Sequence, residues 1–341
     1  MEIPFLNMLW VILLGVLLAG YAILDGFDLG VGILHLGARN DKERRIFMNS
    51  IGPLWDGNEV WLVTFGGALF AAFHDAYATA FSAFYLALWL LLFALIGRAV
   101  SMEFRSKLES PGWRKFFDVC FCVASTLATL LFGVAVGSTM SGLKIGPTME
   151  YEGTFFDLLG VFPVLVGLFA VSMFALHGAI YLYLKTEGEL QQRIRGWMWT
   201  AFGLFLTMYL FTTIFALVNV PAATENFRKY PWCWIVVLLN VLAVANIPRA
   251  IHQNRPAYAF VSSCSCIAAF VFLFGVALFP NLLVSSIAPA YNINIVNSAS
   301  SPKTLGIMAI IAALGMPMVL TYTGIIYWTF RGKVEIGKFS Y

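Results

Sequence analysis

Apolar residues in this chain gather in long blocks separated by short polar segments. They do not alternate every second position, nor do they recur on one face every third or fourth. A block of about 20 apolar residues crosses a bilayer as a helix. Windows of that kind, or nearly so, fall at 5–28, 53–73, 79–97, 117–137, 158–184, 197–218, 232–247, 258–280 and 304–330. The pattern predicts an all-α polytopic membrane protein with nine transmembrane helices. The seventh window is short and closes at Pro248, which lacks the N–H that a helix interior uses. The first window has no basic stretch before it and no small-residue cleavage site, so it reads as a retained span rather than a signal peptide.

The polar segments test the count. Placed alternately on the two sides, one set of loops holds Arg39, Lys42, Arg44, Arg45, Arg98, Arg105, Lys107, Arg114, Lys115, Lys185, Arg193, Arg195, Arg249, Arg255, Arg331, Lys333 and Lys338. The other set keeps Lys144, Arg228, Lys229 and Lys303, so 17 of the 21 basic residues lie on one side. Basic loops mark the cytoplasmic side, which puts the N-terminus outside and Tyr341 in the cytoplasm. "LDGFDLGVGILHLGARNDKERR" and "LHGAIYLYLKTEGELQQRIR" repeat an acidic turn and a basic pair at similar offsets from Asp25-Gly26 and His177-Gly178. A parallel repeat of four spans divides the single membrane domain 1–341 into a four-helix bundle at 1–137, a second at 158–280, and a ninth helix at 304–330.

Composition narrows the class further. The 341 residues are 60% hydrophobic and 11% charged, well below the roughly 25% charge of soluble domains. The net charge of +3 is the topological bias of the loops, and no nucleic-acid partner is implied. The five cysteines (Cys120, Cys122, Cys233, Cys264, Cys266) sit in apolar runs without metal-ligand spacing, as buried thiols do. Most tryptophans mark the interfacial belts.

Acids inside apolar windows need a reason, because each costs about 2.5–3.5 kcal/mol to insert. Asp25 and Asp28 end the first window; Asp56 and Glu59, with Asn58 between them, open the second in "GPLWDGNEVWL". Each acidic pair is spaced i, i+3 and shares one helix face. Consecutive spans put all four carboxyl groups at one depth. Pro53 at a helix start would welcome Asp56 through the helix dipole, and Arg39, Arg44 or Arg45 could pair with Asp25 and Asp28. The functional alternative is a proton relay: desolvated neighbouring carboxyls hold and pass protons, and the surrounding glycines leave room for water. In "GRAVSMEFRSK" the expected Glu103–Lys107 pair reads as surface decoration. Among the histidines, His177 reads as a hydrogen-bonded core residue rather than a haem ligand, and His35, His74 and His252 form no metal constellation.

These segments are recognisable. "DGFDLGVG" (25–32), "GARNDKERRIFMNSIGPLWDGNEVWL" (37–62), "GGALFAAF" (66–73) and "FRSK" (104–107) resemble subunit II of cytochrome bd-type quinol oxidases over about the first 110 residues. The resemblance implies one subunit of a bacterial cytoplasmic-membrane complex that oxidises quinol and reduces dioxygen to water. Its partner, subunit I, would carry the b- and d-type haems, and small single-helix subunits and membrane lipid would be further neighbours. This chain would ligate no cofactor and no metal. The proton path would run through Asp56 and Asp28, joined by Asp25 and Glu59, with Trp55, Asn58, Arg98 and Glu103 supporting it at the interface. The family usually has Pro where His74 stands, and often Gln, which cannot titrate, at Glu59. Two rivals remain at the level of residues. One is a secondary transporter with an acidic coupling-ion site, and the other is a scaffold whose acids only dock basic loops.

Overall fold

The computed structural model describes residues 3–220, 222–335 and 337; the expectations for Lys338 and Tyr341 lie outside the described residues. In chain order the helices are α1 (Phe5–Leu34), α2 (Asp41–Ile51), α3 (Trp55–Ala72), α4 (His74–Ala83), α5 (Tyr85–Phe104) and α6 (Pro111–Ser141). They continue with α7 (Val161–Lys185), α8 (Gly188–Asn219), α9 (Ala222–Lys229), α10 (Trp234–His252), α11 (Pro256–Leu278) and α12 (Pro302–Thr329). Among the described residues, eight helices are long and apolar enough to cross a membrane, and they match eight of the nine predicted windows. The remaining window is α3, whose 18 residues include Asp56, Asn58 and Glu59 and are correspondingly less apolar.

Several boundaries differ from the sequence reading, for physical reasons. α1 runs six residues past Asp28 and continues as a 3₁₀ turn at His35–Gly37, so Asp25 and Asp28 lie inside the helix and not at its end. The third window splits at Phe84 into α4 and α5. α10 passes through Pro248 to His252. Proline forfeits one hydrogen bond there, but in hydrocarbon only the helix satisfies the remaining backbone groups. α2 is a short amphipathic helix capped by Asn40, whose side chain accepts from the Glu43 amide, and it buries Phe47, Met48 and Ile51.

α1 is the central element, packed against α3, α6, α7, α11 and α12. It approaches α7 closely at Gly30 and Gly178. A Cβ on Gly30 would stand 2.0 Å from the Phe174 carbonyl oxygen, and one on Gly178 2.4 Å from the Gly30 carbonyl carbon. Small residues at such crossings let backbones touch where no hydrophobic force joins helices in lipid. At the end where α1 begins, a two-stranded antiparallel ladder of β1 (Asn281–Leu283) and β2 (Ile293–Asn294), unforeseen in the sequence, caps the helices. Asn7 Nδ2 donates to the Ile295 carbonyl at 2.7 Å and Trp10 Nε1 to that of Leu305 at 3.0 Å, tying α1 to this cap and to α12.

Candidate proton site

Four elements converge at the depth predicted for the acids. Asp25 and Asp28 of α1 are fully buried, as is Arg98 of α5. Arg98 Nη1 donates to Asp25 Oδ1 at 2.6 Å, and its Nη2 donates to the carboxylate of Glu59 on α3. Asn58 Nδ2 donates to Asp28 Oδ2 at 2.7 Å and to the Leu24 carbonyl at 3.2 Å. Tyr327 of α12 closes the ring, its hydroxyl donating to Asn58 Oδ1 at 3.0 Å. Two carboxyl groups therefore grip one guanidinium, and a third, Asp28, is held beside them by Asn58. Removing charges from water is costly, and an ion pair repays it only with good geometry; Arg98 bridges two carboxylates, one through each terminal nitrogen. One guanidinium stands among three carboxyl groups, so the cluster holds more acids than bases.

The structure joins some of the predicted residues and separates others. Asp25, Asp28, Glu59 and Asn58 meet as expected, but Asp56 is exposed on the outer face of α3 beside Val60 and Val63. The spacing i, i+3 only approximates a helix turn, so Glu59 reaches the edge of the cluster with its side chain 25% exposed while Asp56 stays outside. Trp55 is half-buried against the main core. Arg98, one residue before "AVSMEFRSK", is no surface residue, whereas Glu103 is exposed. Neither Arg39 nor Arg44 is hydrogen-bonded to the α1 acids: Arg44 turns to Asp118 instead, and the cation that reaches Asp25 comes from α5.

Asp118 is the site residue that the sequence reading missed. It is fully buried on α6, and Oδ1 accepts from His35 Nε2 and from Arg105 Nε, both at 2.6 Å. Its Oδ2 accepts from Arg44 Nη1 at 2.7 Å. Arg105 Nη2 also donates to Asp41 at 2.8 Å, so this hub binds the α1–α2 loop to α5 and α6. Its sequence signal was an acid two turns into a helix, in "WRKFFDVCFC". Nearby, burial alone would raise Glu43, but hydrogen bonds from Arg193 and from the Arg39 amide hold it below the ordinary carboxylate range. On the opposite side of the molecule, Lys144 and the Thr154 backbone and hydroxyl lower Asp157 to about 2.

His177 behaves as the sequence reading expected. A carbonyl can only accept, so Nε2–H donates to the Ile23 carbonyl at 3.0 Å, leaving Nδ1 to Ser263 Oγ at 2.7 Å. The ring stacks on Phe260 at 5.0 Å. Both nitrogens are engaged, which does not suit a haem-iron ligand. Among the described residues, no group of three or more His, Cys, Asp and Glu side chains is placed to hold a metal ion.

A polytopic helical membrane protein with a buried carboxylate–guanidinium cluster near one end defines the class. The family described as Cytochrome bd terminal oxidase subunit II matches residues 6–330. The chain is 36% identical to "Cytochrome bd-I ubiquinol oxidase subunit 2" of Escherichia coli (strain K12), over 96% of this chain and 95% of that protein. It is 32% identical to "Cytochrome bd ubiquinol oxidase subunit 2" of Bacillus subtilis (strain 168), over 97% of each. Its fold also matches a chain of the bd oxidase structure from Geobacillus thermodenitrificans, with TM-score 0.79 and 14% identity over 96% of this chain and 99% of that one. The chain belongs to the cytochrome bd terminal oxidase subunit II family.

Proposed function

We propose that this chain is the haem-free subunit of a quinol oxidase and carries part of the path by which protons from the cytoplasm reach the site of dioxygen reduction. The observation that supports the reading most is the buried Asp25–Arg98–Glu59 and Asp28–Asn58 cluster, which lies on the end of α1 that leads into the basic loops. Glu59, bonded to Arg98 at the cluster's edge and partly exposed, and Asp56, exposed one turn earlier, mark the side of α3 from which a proton could pass to a neighbour. The b- and d-type haems belong to subunit I in this reading, since His177 spends both ring nitrogens inside its own bundle. Exposed apolar residues on α3, α5 and α12, among them Val63, Phe93, Leu314 and Met318, suit a large apolar partner. α3 is taken as the ninth span, paired with α1 and supported by it, with the N-terminus outside, the C-terminus cytoplasmic, and two four-helix bundles followed by α12.

Asn keeps the shape of Asp but cannot titrate. In the assembled oxidase, Asp28→Asn and Asp56→Asn are expected to retain haem and to slow oxygen reduction. Normal turnover per haem in both would refute the relay; loss of the partner and its haem would favour a scaffold.

A further inference from the structure

The hub at Asp118 and the cluster at Arg98 are joined by a polar seam. On α1, Tyr21, Asp25, Asp28, Gly32 and His35 follow one another at spacings of four, three, four and three, which forms one stripe of a helix. α6 lies along this stripe: Phe132 meets Tyr21 edge-on at 5.3 Å, Ser125 meets Gly32, and Asp118 meets His35. Ser125 fills the space that a side chain at residue 32 would need, since a Cβ there would lie 2.0 Å from Ser125 Oγ. Along the seam, five buried polar atoms have no protein hydrogen-bond partner: Tyr21 Oη, Asp25 Oδ2, Asp28 Oδ1, Ser125 Oγ and His35 Nδ1. Asp25, Asp28, Ser125 and His35 are wholly buried. Buried polar atoms are satisfied by protein or by ordered water; four of these five belong to the α1 stripe, and Ser125 faces it from α6.

We propose that the α1–α6 seam is a hydrated proton inlet leading from His35 to the Asp25–Asp28 pair, with Asp118 as the residue that positions the His35 ring. The proposal rests on the relay reading above and adds a route to it. Asp118, faced by Arg44 and Arg105, accepts from His35 Nε2, which fixes the tautomer and leaves the buried Nδ1 as a free acceptor. Water at the exposed Leu36–Gly37 turn is one residue away. An O–H bond of hydronium there breaks, leaving water, as an N–H bond forms at Nδ1, giving an imidazolium whose charge the Asp118 carboxylate offsets. The same bond breaks as the proton passes through seam water and the Ser125 hydroxyl. An O–H bond then forms at Asp28 Oδ1, and the ring returns to neutral. The span covered is about 10 Å, two turns of α1.

The test uses the complete oxidase with its partner and haems. His35→Gln and Ser125→Ala are each expected to keep haem content, to slow oxygen reduction per haem about tenfold, and to raise the solvent deuterium isotope effect, since a lost proton-transfer group is felt at that scale or above. An isotope effect is not moved by a merely structural role. Near-normal turnover in both variants, with Asp28→Asn slow, overturns the inlet and leaves the relay standing. If Asp28→Asn also runs at full speed the inlet falls, and if Asp56→Asn does so too the relay falls with it. Should either variant fail to assemble, a cryo-electron microscopy map of the native complex decides. Ordered water between His35 Nδ1 and Asp28 Oδ1 supports the inlet, and a dry seam overturns it.

Discussion

Gly178→Ala adds one methyl group where α7 meets α1. The new Cβ would lie 2.4 Å from the Gly30 carbonyl carbon, 2.6 Å from the Val31 nitrogen and 2.7 Å from Gly30 Cα. Carbon atoms pack at about 3.5–4.0 Å, so the helices must part by about 1 Å. All three obstacles are backbone, and no rotamer change relieves them. Overpacking of this kind costs about 1–3 kcal/mol. Alanine returns up to about 1 kcal/mol of helix preference, leaving a net loss of up to about 2 kcal/mol. Parting the helices also lengthens the His177–Ile23 bond, now 3.0 Å, one residue from the methyl. Gly203→Ala in α8 is the internal control, because a Cβ there meets nothing within 4 Å. The assay is the thermal midpoint of the purified complex in one detergent, followed by haem retention and intrinsic fluorescence. Gly178→Ala should melt below the parent and Gly203→Ala at or above it. A Gly178→Ala complex as stable as the Gly203→Ala one would refute the close-contact argument.

Other consequences follow from the charges. Arg98→Gln leaves buried Asp25 without its cation, and breaking such a pair costs about 3–5 kcal/mol. Adding Asp25→Asn to it should recover part of the yield and thermal stability, and equal stability of the single and double variants would count against the ion pair. Asp157 has a depressed pKa of about 2, so its contribution is complete above its ordinary value of 3.8 and is lost as pH falls through about 2. The protection factors of amides in the 143–158 loop should therefore fall between about pH 4 and pH 2 in the parent and be already low, with little pH dependence, in Asp157→Asn. Glu43→Gln should loosen α2 from α8 by about 1 kcal/mol, read as faster exchange in residues 41–51, because the Arg193 contact is largely but not wholly shielded.

The membrane class and most of the spans were determined by the sequence alone, because a bilayer admits few backbone solutions and block length reports them directly. The same pressure made Asp25, Asp28 and Glu59 visible, since acids in apolar blocks are costly and stand out. Partners were a different matter. Which cation reaches Asp25, that Asp56 points away while Glu59 points in, and that Asp118 gathers His35, Arg44 and Arg105 were all decided by how α1, α3, α5 and α6 rotate against one another. A rotation of one residue is 100° on a helix, and hydropathy along the chain does not encode it. Tertiary packing settled those angles through close contacts such as Gly30 on Gly178 and Gly32 on Ser125. There the absence of a side chain on one helix fixes what the next helix presents.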